Sequence, residues 1–175
     1  MKSAIFIVST IAFIVGISVF FSLFTKKSTP KEIIQHPDSR LHEVSTSVKK
    51  IDLETQKIAS ELKHVIEQVD RRGRIGLGMA APQIGYSTRI IAIKKSFGNY
   101  EIMINPEVNE KKWFFPSLSK CFSVDGIHFL KRYYWYSVSY QDLNGNKHHE
   151  IMRGARAITL QQEIDHLDGI LINDY

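Results

Sequence analysis

The run Gln161-Gln162-Glu163-Ile164-Asp165-His166 differs by one side chain from His-Glu-x-x-His. In that pattern two histidines at i and i+4 share a helix face and hold a catalytic metal, while the glutamate beside the first is general base toward the bound water. Gln162 occupies the first histidine's place. A glutamine amide is a neutral oxygen donor, much weaker than imidazole toward zinc or ferrous iron. The run therefore offers one good ligand, His166, and one acid–base group, Glu163. Other elements must complete any site.

Cys121, the only cysteine, lies in Ser119-Lys120-Cys121-Phe122-Ser123. It is either a small buried hydrophobe or a soft ligand. Lys120 beside it would favour the thiolate. The run Gly76-Leu77-Gly78-Met79-Ala80-Ala81-Pro82-Gln83 has two glycines and two alanines that allow close backbone approach, and ends on an amide that both donates and accepts. It reads as a tight loop. A dinucleotide fingerprint would need a strand before it and a helix after it, whereas here a helical pattern precedes. His128 is expected to line a groove, and His148-His149, adjacent on a strand, cannot both reach one centre.

The elements that must position these groups follow from periodicity. Asp52 to Val69 keeps apolar residues at helical spacing, with Asp52 as cap and Gly73 as stop. Strand signals cover Arg89 to Lys94, Glu101 to Asn105 and the aromatic run Arg132 to Gln141, which Asn144-Gly145 joins as a hairpin to Lys147 to Met152. A helix is predicted from Ala155 to Leu167, ended by Asp168-Gly169, and a terminal apolar strand over Ile170 to Ile172. The predicted class is α+β: a mainly antiparallel or mixed sheet around one motif helix.

The 175 residues, 43% hydrophobic, suit one domain. Residues 4–24 carry no charged side chain, and their length matches the ~20 residues that cross a bilayer. A membrane anchor over residues 1–25 is expected, with a cleaved signal as the alternative; residues 26–32 read as linker and 33–175 as the folded domain. Lys26, Lys27 and Lys31 follow the apolar segment while only Lys2 precedes it, placing the domain on the cytoplasmic side. A lone cysteine excludes an intramolecular disulfide framework. The net charge of +5 reads as an ordinary solvated surface, with no nucleic acid expected as partner.

Taken together, the glycine loop ending at Gln83, the segment around Cys121 and the helix of Glu163 and His166 resemble the peptide deformylase family. Its motifs Gly-x-Gly-x-Ala-Ala-x-Gln, Glu-Gly-Cys-x-Ser and Gln-His-Glu-x-Asp-His occur in the same order. His36-Pro37-Asp38-Ser39-Arg40-Leu41 and Ile104-Asn105-Pro106 are also similar to the family, so the resemblance runs from Ile33 to Tyr175. It implies a hydrolase that removes the N-formyl group from the initiator methionine of nascent chains, using divalent iron or zinc.

By the same resemblance Cys121, His166 and the position of Gln162 would be metal ligands. Glu163 would shuttle the proton, Gln83 and the Phe122 backbone N–H would stabilise the oxyanion, and Asp165 would orient a ligand. Three departures fall on this chemistry: Gln162 for histidine, Ser119 for glutamate and Lys120 for glycine. Such sites use three protein ligands and an open position. The expectation is a deformylase-like protein impaired in metal binding and activity, with or without bound metal. An active, membrane-tethered deformylase is the alternative.

Overall fold

A computed structural model of the chain describes residues 32–71, 77–96 and 99–175. The expected anchor over residues 1–25, the linker up to residue 31, and Gly73 and Gly76 lie outside the described residues. Among the described residues no helix is long and apolar enough to cross a membrane.

Helix α1 spans Leu53–Arg71. Asp52 caps it as expected, its Oδ1 accepting the Thr55 N–H at 3.0 Å. Five strands follow: β1 Gly78–Ala80, β2 Ile90–Ser96, β3 Asn99–Ser119, β4 His128–Gln141 and β5 Lys147–Arg153. They pair in the order β1-β2-β3-β4-β5, every neighbour antiparallel. The mixed sheet allowed by the sequence is not what forms. The one parallel contact among the described residues is the isolated bridge Thr46↔Thr88.

The run Ile90-Ile91-Ala92-Ile93 reads as continuous apolar sequence because β2 is covered on both faces. Ile90 and Ala92 join Ile58, Leu62 and Ile66 of α1 in one core, while Ile91 and Ile93 join Met103, Val138 and Leu160 in another. At roughly 1.5–3 kcal/mol for each large aliphatic side chain buried, these two layers fix the sheet between its helices. The second helix, α2, spans Ala155–Leu167.

Two expectations fail. First, β3 does not stop at Asn105. Asn105 takes φ 50° and Oδ1 accepts the Val48 N–H at 2.8 Å, while its Nδ2 donates to the Val48 carbonyl at 2.8 Å. The register slips between Ile104 and Glu107, and the strand then runs on to Ser119. Residues 109–116 are exposed on both faces, so no alternation of apolar and polar residues announces them. Second, Ile170 to Ile172 is not a strand. Gly169, at φ 74°, turns the chain, and the Asp174 carboxylate accepts the Leu171 N–H at 2.7 Å, removing a donor that a ladder would need. Leu171 and Ile172 are buried instead in a third cluster with Leu41, Cys121, Val124 and Leu130.

Candidate active site

Gln161 sets the rotation of α2. Its Oε1 accepts the Tyr133 N–H at 2.8 Å and its Nε2 donates to the Tyr133 carbonyl at 2.7 Å, so the side chain pairs with β4 as a strand residue would. That rotation turns Gln162, Glu163 and His166 toward β1 and the segment after β3. The helix then closes at Asp168-Gly169, where the Ile170 N–H returns to the Asp165 carbonyl at 2.9 Å.

Cys121 Sγ lies 3.2 Å from His166 Nε2, both residues buried. Gln83 comes from the 3-10 turn Ala81–Ile84 that follows β1. Its Oε1 accepts the Ala80 N–H at 2.9 Å, which aims the amide nitrogen at Ser123 Oγ (3.1 Å) and Cys121 Sγ (3.6 Å). Glu163 is 2% exposed and packs against Gly78. A β-carbon on Gly78 would stand 2.9 Å from Glu163 Cγ and Oε1 and 2.6 Å from Thr159 Cγ2. The glycine is therefore required for β1 to approach α2. A cleft of ≈ 560 Å³ opens over these groups, lined by Leu77, Leu118, Cys121, Phe122, Ile158 and Gln162 among others.

Burial dominates the electrostatics. It raises the Cys121 thiol to about 11 against the backbone N–H of Ser123, with the Glu163 charge adding to the rise. Burial lifts the Glu163 carboxyl to about 8, reinforced by Asp165 and opposed by Arg132. It depresses His166 to about 4, with Arg132 adding to the effect. With no metal bound, these shifts favour the neutral forms of Cys121, Glu163 and His166 near pH 7.

The other expected residues fall as follows. Gln162 is half-buried at the cleft and its Nε2 donates to the Lys120 carbonyl at 3.4 Å. Phe122, half-buried, lines the cleft and packs on the first core. Asp165 makes no hydrogen bond to His166 but pairs with Arg132 at 2.5 Å and accepts from the Tyr175 hydroxyl at 2.9 Å. It anchors the helix to β4 and the chain end, so the expected role of orienting a ligand is corrected. His128 Nε2 meets the Asp125 carbonyl at 3.1 Å and does not line the cleft. His148 stacks on Tyr140 and contacts Asp142, whereas His149 contacts Ser137 and Ser139. The two point apart, as strand alternation requires. Sequence reasoning missed Ser123, which takes the Gln83 amide, and Arg132, which is 2% exposed. A charged residue inside an aromatic strand was the available signal for Arg132.

Whether these residues suit a divalent metal turns on the donor set. Cys121 and His166 converge on one point, but among the described residues no group of three His, Cys, Asp or Glu could hold an ion. His166 Nδ1, Glu163 Oε2 and Ser119 Oγ are buried without a hydrogen-bond partner there. Metal-bound imidazoles almost always donate their second N–H to a fixed acceptor. Among the described residues, Cys121 and His166 thus supply two of the three protein ligands that a catalytic centre of this kind uses.

A family model described as polypeptide deformylase matches residues 30–175. The peptide deformylase of Desulforudis audaxviator is 34% identical over 145 residues, covering 82% of this chain and 91% of that relative. The one of Desulfotalea psychrophila is 31% identical over 150 residues, covering 82% and 86%. The crystal structure of peptide deformylase from Thermotoga maritima superposes with a TM-score of 0.76 at 28% identity, over 83% of this chain and 97% of that one. The chain thus belongs to the polypeptide deformylase family.

Proposed function

We propose that this chain receives formylated peptide amino termini in the Cys121 cleft, but binds a divalent metal weakly and turns substrate over slowly. The observation that carries this reading is Gln162: its amide is turned to the Lys120 carbonyl at 3.4 Å while Cys121, His166, Gln83 and Glu163 stay together. Gln83 would leave Ser123 and donate its amide N–H to the formyl oxygen as charge develops there, with the Phe122 N–H as second donor. As water adds to the formyl carbon and the C–N bond breaks, Glu163 would give its proton to the departing amine and recover one from that water. Iron or zinc is the metal the family implies.

Residues 4–24 would tether the protein to a membrane with the domain on the cytoplasmic side, near emerging nascent chains. The convergence of Cys121 and His166 supports a second reading, an active membrane-tethered deformylase that tolerates Gln162.

Metal content and formate release from a formyl-methionyl peptide distinguish the two, comparing the unaltered chain with Gln162→His. Disturbing a partner of a ligand costs roughly 10–100-fold, and losing the ligand should cost more. Gln162→His is expected to raise both metal occupancy and turnover by at least that factor. Stoichiometric metal and full turnover in the unaltered chain would establish the active reading instead.

A further inference from the structure

The β3–β4 hairpin carries an outer surface that meets the active-site cleft only at Leu118. Its register pairs Leu118 with Phe129 and Phe114 with Tyr133, which puts Phe114, Leu118 and Phe129 on one face, continued by Ile127 in the preceding turn. These four side chains are 67%, 73%, 70% and 68% exposed. Single exposed apolar residues are ordinary, whereas a contiguous strip marks a contact surface. On the opposite face of the same strands Ser117, Leu130 and Arg132 are buried, while Trp113, Phe115 and Tyr134 toward the far end stay exposed.

Charge and position indicate what covers the strip. Residues 111–120 and 127–134 include Lys111, Lys112, Lys120 and Lys131 and no Asp or Glu. Lys112 is partly engaged, paired with Glu110 at 2.7 Å and lying over the Trp135 ring, and Lys111 lies over the Tyr133 ring. Lys131 shares the face of the strip, opposite Pro116. The described chain begins beside this surface, since Glu32 and Ile33 line one groove with Lys120 and Ile127. The uncharged apolar run ends at Phe24. The seven intervening residues, three of them lysine, reach at most about 25 Å when extended. Aromatic side chains interleaved with lysines suit a bilayer interface, where the rings enter the headgroup region and the ammonium groups meet anionic lipid. An isologous contact with a second copy would bring the lysines of the strip toward one another.

We infer that the outer face of the β3–β4 hairpin, from Phe114 through Leu118 and Phe129 to Ile127, seats on an anionic lipid surface. This extends the tether reading of residues 4–24 by fixing which side of the domain faces the membrane. Leu118 also lines the active-site cleft, so the cleft would open at the edge of the lipid contact.

The test uses the full chain with Leu118→Trp as reporter and Trp113→Phe to remove the exposed native indole, Trp135 being only 8% exposed. The protein is mixed with phosphatidylcholine vesicles, with and without phosphatidylserine, containing brominated acyl chains. Quenching of the reporter is expected with phosphatidylserine. Adding Lys111→Glu and Lys131→Glu should reduce the phosphatidylserine-dependent quenching by roughly an order of magnitude. Alkali-resistant sedimentation with the same vesicles reports the tether separately. Sedimentation without quenching overturns the docking surface and leaves the tether standing. Quenching without alkali-resistant sedimentation sustains the docking surface and removes the tether. Loss of both removes both. A reporter already blue-shifted without vesicles and unresponsive to lipid overturns the inference, assigning the strip to residues 4–24 or, where crosslinking gives a dimer, to a second copy.

Discussion

Glu163 shows what burial does to a single carboxyl. Its folded value of about 8 lies above its ordinary value of 4.5. Between those values the unfolded chain has released the proton and the folded chain still binds it, so stability falls as pH rises through this range. His166 acts in the opposite sense. Depressed from 6.5 to about 4, it lowers stability as pH drops from 6.5 toward 4. The two slopes offset one another between 4.5 and 6.5, and only the Glu163 slope remains from there to about 8. In chelated protein, urea unfolding should therefore show stability declining from pH 6.5 to 8. Glu163→Gln should flatten that decline, a gain on the order of a few kcal/mol at pH 8. A decline of equal size in the variant would place its source elsewhere.

The contact of β1 with α2 is where one hydrogen atom in place of a methyl decides the packing of two elements. Gly78→Ala would drive a methyl into Thr159 and Glu163. Overpacking of this kind typically costs about 1–3 kcal/mol. Thermal unfolding should show that loss, and Thr159→Ser, which removes the Cγ2 standing at 2.6 Å, should recover part of it in the double variant. Elements were legible in proportion to their patterning. The 3.6-residue period of α1 and the Asn144-Gly145 turn identify their elements from sequence alone. The second half of β3 has exposed residues on both faces and a proline, so nothing periodic marks it. Gln83, Cys121, Glu163 and His166, which residue type and order single out in the sequence, come together in the structure. Asp165 was misread because sequence spacing cannot reveal that Arg132, distant along the chain, lies beneath it.

Across the whole molecule, Asp165 joins three distant stretches: α2, Arg132 of β4 and Tyr175 at the chain end. The guanidinium lies over the Tyr175 ring at 4.9 Å as well as on the carboxylate. With Arg132 2% exposed, removing the carboxylate strands a buried cation, at a cost of about 3–5 kcal/mol. Asp165→Asn is expected to lower the urea midpoint accordingly. Arg132→Met together with Asp165→Leu should be much less damaging, because neither charge is then left alone. Equal losses in the single and double variants would show that the pair itself contributes nothing particular.

The side-chain pairing of Gln161 with Tyr133 bears on the history of the chain as well as its shape. That pairing holds the motif helix by amide and backbone groups and involves no ion. Codons for glutamine and histidine differ only in their third base. One transversion at Gln162 would therefore place an imidazole on a helix already turned to present it, so a single base separates the two donor sets without remodelling the protein.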